Sequence, residues 1–148
     1  MARSAIKIEI KDTKQTDKLL SRMPIEIRGK TLKKALRAAG NVVAREARRI
    51  APKPGYPGDD PTKEPLNKTI KTVVRDYGTV IAAFVGPERP NGAHGHLVEY
   101  GHAKVLWGTP TGERVQGKPF MRPAADTTEA QQQKKIIETL KREIGKLA

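Results

Sequence analysis

Hydrophobic and polar positions alternate at the start of the chain. Ile6, Ile8 and Ile10 are interleaved with Lys7, Glu9 and Lys11 across Ser4–Lys11, which predicts a half-buried strand. Asp12-Thr13 then reads as a turn or cap before a short helical stretch with Leu19, Leu20 and Met23 as its apolar residues. Pro24 suits the first turn of a second helix. From Lys30 to Ile50 the period lengthens. Leu32, Leu36, Ala39, Val43, Ala47 and Ile50 recur at spacings of three and four, which puts them on one helical face, with Lys30, Lys34, Arg37, Arg45 and Arg48 on the other. Gly40 and Asn41 predict an interruption in the middle. Ala51-Pro52 ends the helix, because the residue before proline is biased away from the α conformation.

Lys53–Pro65 holds Pro54, Pro57, Pro61 and Pro65 together with Asp59-Asp60, and reads as a surface loop. Two β-prone runs follow, Thr69–Arg75 and Thr79–Gly86, joined at Asp76-Tyr77-Gly78 as a hairpin with Ile70, Val73, Val80, Ala82 and Phe84 among its apolar positions. Pro87–Gly95 is a second loop, and His96–Tyr100 is a short amphipathic piece stopped by Gly101. Val105–Gly117 reads as another strand or a flexible arm around Trp107, with turns at Thr109-Pro110 and Thr111-Gly112. After Pro119, the stretch from Pro123 to Leu147 predicts a closing helix with Ile136, Ile137, Leu140, Ile144 and Leu147 as its stripe.

This order predicts a single α+β domain over residues 1–148. A small antiparallel or mixed sheet, the N-terminal strand plus the hairpin at 69–86, packs on a long basic helix at about 25–50 and a C-terminal helix at about 123–147. Long loops are expected at 51–65 and 87–95, with a possible arm at 102–118.

Composition narrows the choice of chemistry. The chain has 148 residues, 36% hydrophobic and only 4% aromatic, so the core must be aliphatic and small. No apolar run approaches the ~20 residues of a membrane span, and Met1-Ala2-Arg3-Ser4 leads into the strand without a signal-like apolar region. A soluble protein with no membrane partner is expected. The absence of cysteine removes disulfides, thiol catalysis and thiolate metal sites together. The net charge is +13. Residues 1–50 carry 14 basic and 5 acidic groups, a net +9, so the excess sits in the first third. Such a field favours polyanions, either nucleic acid or an acidic protein surface.

Candidate sites are few. His94, His96, Glu99 and His102 form the densest ligand-like set, but their spacing matches no common zinc pattern, and a polar loop explains them better. There is no Gly-x-Ser-x-Gly elbow, and Ser4 and Ser21, the only serines, lie far from any histidine. Gly92–Gly95 lacks the Lys-Ser/Thr and long helix of a phosphate-binding loop. No enzyme and no cofactor is expected. The basic helix, carrying Lys30, Lys33, Lys34, Arg37, Arg45, Arg48 and Arg49 with Glu46 as its only acid from Lys30 onward, has two readings. It follows a phosphate backbone or meets a partner, or it is a solvated face opposite an apolar stripe. Trp107, Tyr56, Tyr77, Tyr100, Phe84 and Phe120 are too scattered to stack successive bases, so base-specific reading is not supported.

Four stretches in order resemble a known family: Arg48-Arg49-Ile50-Ala51-Pro52-Lys53, Leu66-Asn67-Lys68-Thr69-Ile70, His96-Leu97-Val98-Glu99-Tyr100-Gly101 and Pro119-Phe120-Met121-Arg122-Pro123-Ala124. Together they are similar to the neck, tail-completion or minor tail proteins of long-tailed bacteriophages. The likeness spans about residues 30–125. Two features depart from that pattern: the loop Lys53–Pro65 is longer and richer in proline, and His102 follows Gly101 where the family usually has Thr. The resemblance implies a structural virion component that joins head connector to tail as a ring, a hexamer or higher multiple, around the DNA passage. Its implied partners are further copies of itself, head-connector or head-completion proteins, tail-terminator proteins and genomic DNA without sequence preference. Its implied place is the virion neck, and the host cytoplasm during assembly.

The motif residues Ala51, Pro52, Leu66, Ile70, Glu99, Tyr100, Gly101, Pro119, Phe120, Met121, Arg122, Pro123 and Ala124 are expected to be structural. Pro119 and Pro123 fix the backbone around Phe120 and Met121, which plug into the core or a neighbouring subunit. An ion pair between Glu99 and Arg122 is expected to tie the last helix to the short middle one. The alternative to a neck protein is a free-standing basic nucleic-acid-binding protein acting through the Lys/Arg-rich helix.

Overall fold

The computed structural model describes residues 6–8, 13–55 and 62–147. Ser4, Glu9–Asp12 and Tyr56–Pro61, which belong to the expected first strand, its turn and the proline-rich loop, lie outside the described residues. The elements run β1 (Ile6–Ile8), α1 (Thr13–Ser21), α2 (Ile25–Ile50), α3 (Leu66–Thr69), β2 (Ile70–Asp76), β3 (Ile81–Pro87), α4 (Gly95–Tyr100), β4 (His102–Leu106), β5 (Thr109–Val115) and α5 (Met121–Gly145). The fold is α+β, with two small sheets that are both antiparallel.

The first sheet has the order β1-β3-β2, so the hairpin's second strand lies at its centre. Its register pairs Thr72 with Val85 and Val74 with Ala83, while Ile6 and Ile8 face the same two β3 residues from the other side. Strand alternation therefore gives the sheet an inner face of Ile8, Ile70, Ala83 and Val85, all buried. That face rests on α2. The helix meets it with small residues: Gly40 faces Thr72 of β2, and Ala44 and Ala47, on the same side of the helix, are fully buried. On its other flank α2 packs along α5. Lys34, near the start of α2, reaches Glu143, near the end of α5, at 2.9 Å, so the two helices run antiparallel.

Three expectations need correction. Gly40 and Asn41 do not interrupt α2, which is continuous over 26 residues. Gly40 instead lies directly against β2. A Cβ there would lie 2.3 Å from the Thr72 methyl, so the residue is small because the sheet touches the helix backbone. The closing helix begins at Met121, not Pro123, and ends at Gly145, with Leu147 outside it and half exposed. Pro123 is accommodated in the first turn, where its missing N–H removes no intrahelical bond. Its buried side also carries Thr128, Gln132 and Thr139 beside Ile136 and Leu140. Their polar atoms are satisfied locally: Thr128 Oγ1 donates to Ala124 O at 2.6 Å, and Gln132 Nε2 donates to Ala125 O at 3.0 Å. Finally, residues 102–115 form neither a single strand nor a loose arm. They are a two-stranded hairpin whose turn is at Trp107-Gly108, not at Thr109-Pro110 or Thr111-Gly112.

No helix among the described residues is long and apolar enough to cross a membrane.

Candidate functional site

The exposed side of α2 is the first candidate. Lys30, Lys34, Arg37, Asn41, Arg45 and Arg48 are all exposed and recur at spacings of three and four. They form one helical stripe, cationic at every position but Asn41. The stripe is only partly free to meet a partner. The Arg48 guanidinium donates twice to Ile70 O, at 2.6 and 3.1 Å, which ties the end of α2 to the start of β2. Lys33 pairs with Asp76 at 2.7 Å, Lys34 with Glu143, and Arg49 with Glu46 at 2.6 Å. Lys30, Arg37 and Arg45 have no ion pair among the described residues.

These pairs also set proton affinities. The Lys33 ammonium and the Gly78 N–H hold the Asp76 carboxyl below its ordinary value, and the Arg49 guanidinium does the same for Glu46. Glu143, with a side chain only 10% exposed between Lys146 and Lys34, is lowered furthest, to about 2, chiefly by its hydrogen bonds from those two ammonium groups.

The second candidate is the ground where α4, the β4–β5 hairpin and α5 meet. Glu99 is buried, at 4% exposure. Its Oε2 accepts the backbone N–H groups of Phe120 at 2.8 Å and Met121 at 3.0 Å, and its Oε1 accepts that of Arg122 at 3.1 Å. No residue beside α5 caps it with a side chain. Glu99, 21 residues upstream, therefore satisfies donors that every helix start leaves open, and its negative charge lies at the positive end of the helix dipole. The expected Glu99–Arg122 ion pair is not formed. The Arg122 backbone N–H, not its guanidinium, reaches the carboxylate, and the Arg122 side chain is exposed.

Two glycines let the chain cross itself beside this cap. Gly101 has φ 74°. A Cβ on it would fall 2.4 Å from Val115 O, and one on Gly117 would fall 2.7 Å from Glu99 O. Only bare backbone fits on both sides of the crossing, and Lys118 N donates to Val98 O at 2.7 Å to close it.

The motif residues thus sort by role. Ala51, Leu66, Ile70, Phe120, Met121 and Ala124 all join one buried cluster. Pro52 follows the last turn of α2, where the Ala51 N–H still donates to Ala47 O at 2.8 Å. Tyr100 and Pro119 are exposed. Phe120 and Met121 plug into the chain's own core at 0% and 1% exposure. Of the histidine set, Glu99 is committed to α5 and His96 Nδ1 lies 2.9 Å from Ala93 O. No group of three or more metal-binding side chains is assembled among the described residues.

The hairpin arm carries what motif reading missed. Val105 and Leu106 are more than half exposed, and Trp107 at the turn is fully exposed. Trp107 has φ 52° and Gly108 φ 82°, so both central residues of the two-residue turn are left-handed, the geometry that matches strand twist in tight hairpins. A bulky residue in that region is strained. The Gly after Trp107 was the available signal, but tryptophan is not a residue that turn rules place before it.

What the fold leaves exposed is a cationic stripe on α2 and an apolar arm tip, while Ala51, Leu66, Ile70, Phe120, Met121 and Ala124 are buried in its own core. Comparison with protein families adds a role. The model for HK97-gp10-like proteins, described as "Bacteriophage HK97-gp10, putative tail-component", matches residues 13–101. The chain belongs to this family, which gives it a structural role in a phage tail and a place in the virion. No curated protein and no solved structure matches it.

Proposed function

We propose that the chain acts in the neck of a long-tailed phage, where several copies form a ring around the DNA passage and join the head connector to the tail. The observation that carries this reading is the family match over residues 13–101, which includes α2, the β2–β3 hairpin and the Glu-Tyr-Gly end of α4. In this reading the copies meet one another, a head-completion or connector protein above and a tail-terminator protein below, after assembly in the host cytoplasm. The work is structural and uses no cofactor.

The stripe of Lys30, Arg37 and Arg45 supports placing α2 toward the DNA. Three cations with no ion pair among the described residues, spread over about four helical turns, attract phosphate without reading bases. The same stripe favours the second reading, a free-standing nucleic-acid-binding protein. The two part on salt and on assembly. A free-standing binder holds DNA tightly at low salt and loses roughly tenfold or more as salt rises, whereas a neck protein binds weakly and assembles.

The deciding experiment is electron microscopy of lysates from the parent phage with this gene interrupted. Filled heads and finished tails lying unjoined are the expected result. Normally joined, infectious particles would overturn the neck reading.

A further inference from the structure

Among the described residues, one protrusion is nearly neutral and one sheet face has an apolar floor with charged residues at its rim. Val105–Gly112, the tip of the arm, contains no charged residue in a chain where 30% of residues are charged. Tyr77–Pro87, which includes all of β3, is a second such stretch. The outer face of the first sheet, opposite α2, has no layer over it among the described residues. There Val73 is 40% exposed, and with Phe84 and Tyr77 it lines a shallow hollow of about 150 Å³ rimmed by Lys71, Arg75 and Glu88.

We propose that the arm tip of one copy, with Trp107 as its anchor, seats in the sheet hollow of the next copy. This rests on the reading of the chain as a component present in several adjacent copies. Three observations point to a second copy as the occupant. The first is charge. Two chains of net +13 repel each other, so a contact between copies costs least where at least one side brings no cation, and the tip is such a patch. The second is chemistry. The hollow offers an apolar floor in Val73 and Phe84, the Arg75 guanidinium at its rim to lie against the indole face, and the Glu88 carboxylate, whose Oε2 already pairs with Lys71, with its Oε1 as an acceptor for the indole N–H. The third is exposure. Trp107 is fully exposed in its own chain, so the arm is not folded onto its own hollow.

Arm and hollow are different patches, so the contact is head-to-tail. Such contacts close into rings or run on as filaments. A tryptophan buries about 150–250 Å², well short of the roughly 800 Å² per partner of a stable interface. A single arm contact therefore holds two copies weakly, and the assembly is secured when several contacts close together.

The chain has no cysteine, which makes a clean test available. Leu106→Cys reports the arm and Val73→Cys reports the hollow. A mixture of the two single variants is expected to form disulfide-linked dimers roughly tenfold faster than either variant alone, and adding Trp107→Ala is expected to remove that advantage. Trp107, the only tryptophan, is expected to shift its emission to the blue as protein concentration rises, more readily at high salt, where like-charge repulsion is screened. Equal rates in mixed and single samples, or rates indifferent to Trp107, would overturn the proposal. So would an emission shift that requires added duplex DNA or an acidic polypeptide and vanishes with salt. Rings seen by electron microscopy without the mixed cross-link would sink the arm contact and leave the ring standing. A specific cross-link beside normal particles from the interrupted gene would do the reverse.

Discussion

The base and the tip of the β4–β5 arm lie a few residues apart and are built on opposite principles. At the base, polar groups and backbone are closely engaged, with His102 Nδ1 the buried exception that has no hydrogen-bond partner. Glu99 holds three helix N–H groups, and Gly101 and Gly117 bring two backbone segments closer than any side chain allows. At the tip, the side chains are apolar and exposed, and the one bulky residue sits in a conformation suited to glycine. Polar chemistry is spent where the arm must be aimed, and apolar surface is left where it must meet something. Rigid root and unsatisfied tip together are how a small fold presents an anchor without losing its direction.

The comparison is broken most directly at Glu99. Glu99→Ala orphans three donors at a buried helix start, and at about 1–3 kcal/mol per donor, eased by water entry, the expected loss is about 4 kcal/mol. Glu99→Gln keeps one acceptor oxygen and is expected to lose about 2 kcal/mol. Urea denaturation of both variants checks this, and unchanged midpoints would mean that α5 does not depend on the cap. Gly101→Ala strikes the same root from the backbone side. It forces a Cβ against Val115 O at a positive φ, with an expected cost of about 3 kcal/mol. Amide exchange in residues 102–117 should rise in that variant before exchange in α2 does. A uniform rise would place the damage in the whole fold instead.

These two sites also show where sequence reading succeeds and where it stops. Spacing alone located α2 and its cationic side, because Lys30, Lys34, Arg37, Arg45 and Arg48 obey a local period that tertiary contacts do not alter. The β2–β3 hairpin was legible for the same reason, from two β-prone runs around Asp76-Tyr77-Gly78. The start of α5 was not. Its cap comes from Glu99, and a donor–acceptor match across 21 residues leaves no periodic trace. Gly40 misled in the other direction. Locally it weakens a helix, but the reason for it lies on β2, in the Thr72 methyl. The arm was visible only as a choice between strand and flexible segment, because Trp107 occupies a turn position that no propensity assigns to it. Of the family motifs, Ala51, Leu66, Ile70, Phe120, Met121 and Ala124 lie in a single buried cluster, while Tyr100, Pro119 and Arg122 stay exposed.

A gentler break uses pH on the α2–α5 contact. Glu143 is lowered from 4.5 to about 2 by Lys146 and Lys34. A depressed carboxyl contributes stability that is fully present above the unfolded value, here about pH 4.5, and is lost as pH falls through the folded one. Thermal midpoints should therefore decline between pH 4.5 and 2, with a shallower decline in Glu143→Gln. Parallel curves for the two proteins would assign the acid loss to other carboxylates.

The smallest effect on the fold is expected at Trp107, and it sharpens the contrast most. A left-handed φ costs a bulky residue about 1 kcal/mol that asparagine or glycine largely avoids. Trp107 makes no buried contact in its own chain that would offset this. Trp107→Asn should therefore leave the urea midpoint unchanged or raise it by up to about 1 kcal/mol of stability. A residue whose removal does not weaken the fold, placed in strain at the tip of a fixed arm, contributes outside the chain. If Trp107→Asn lowers stability by more than about 1 kcal/mol, the indole is packing on its own protein and the distinction between root and tip fails. If stability holds while the Leu106–Val73 cross-link between copies disappears, the strain at the turn is the cost of presenting the anchor.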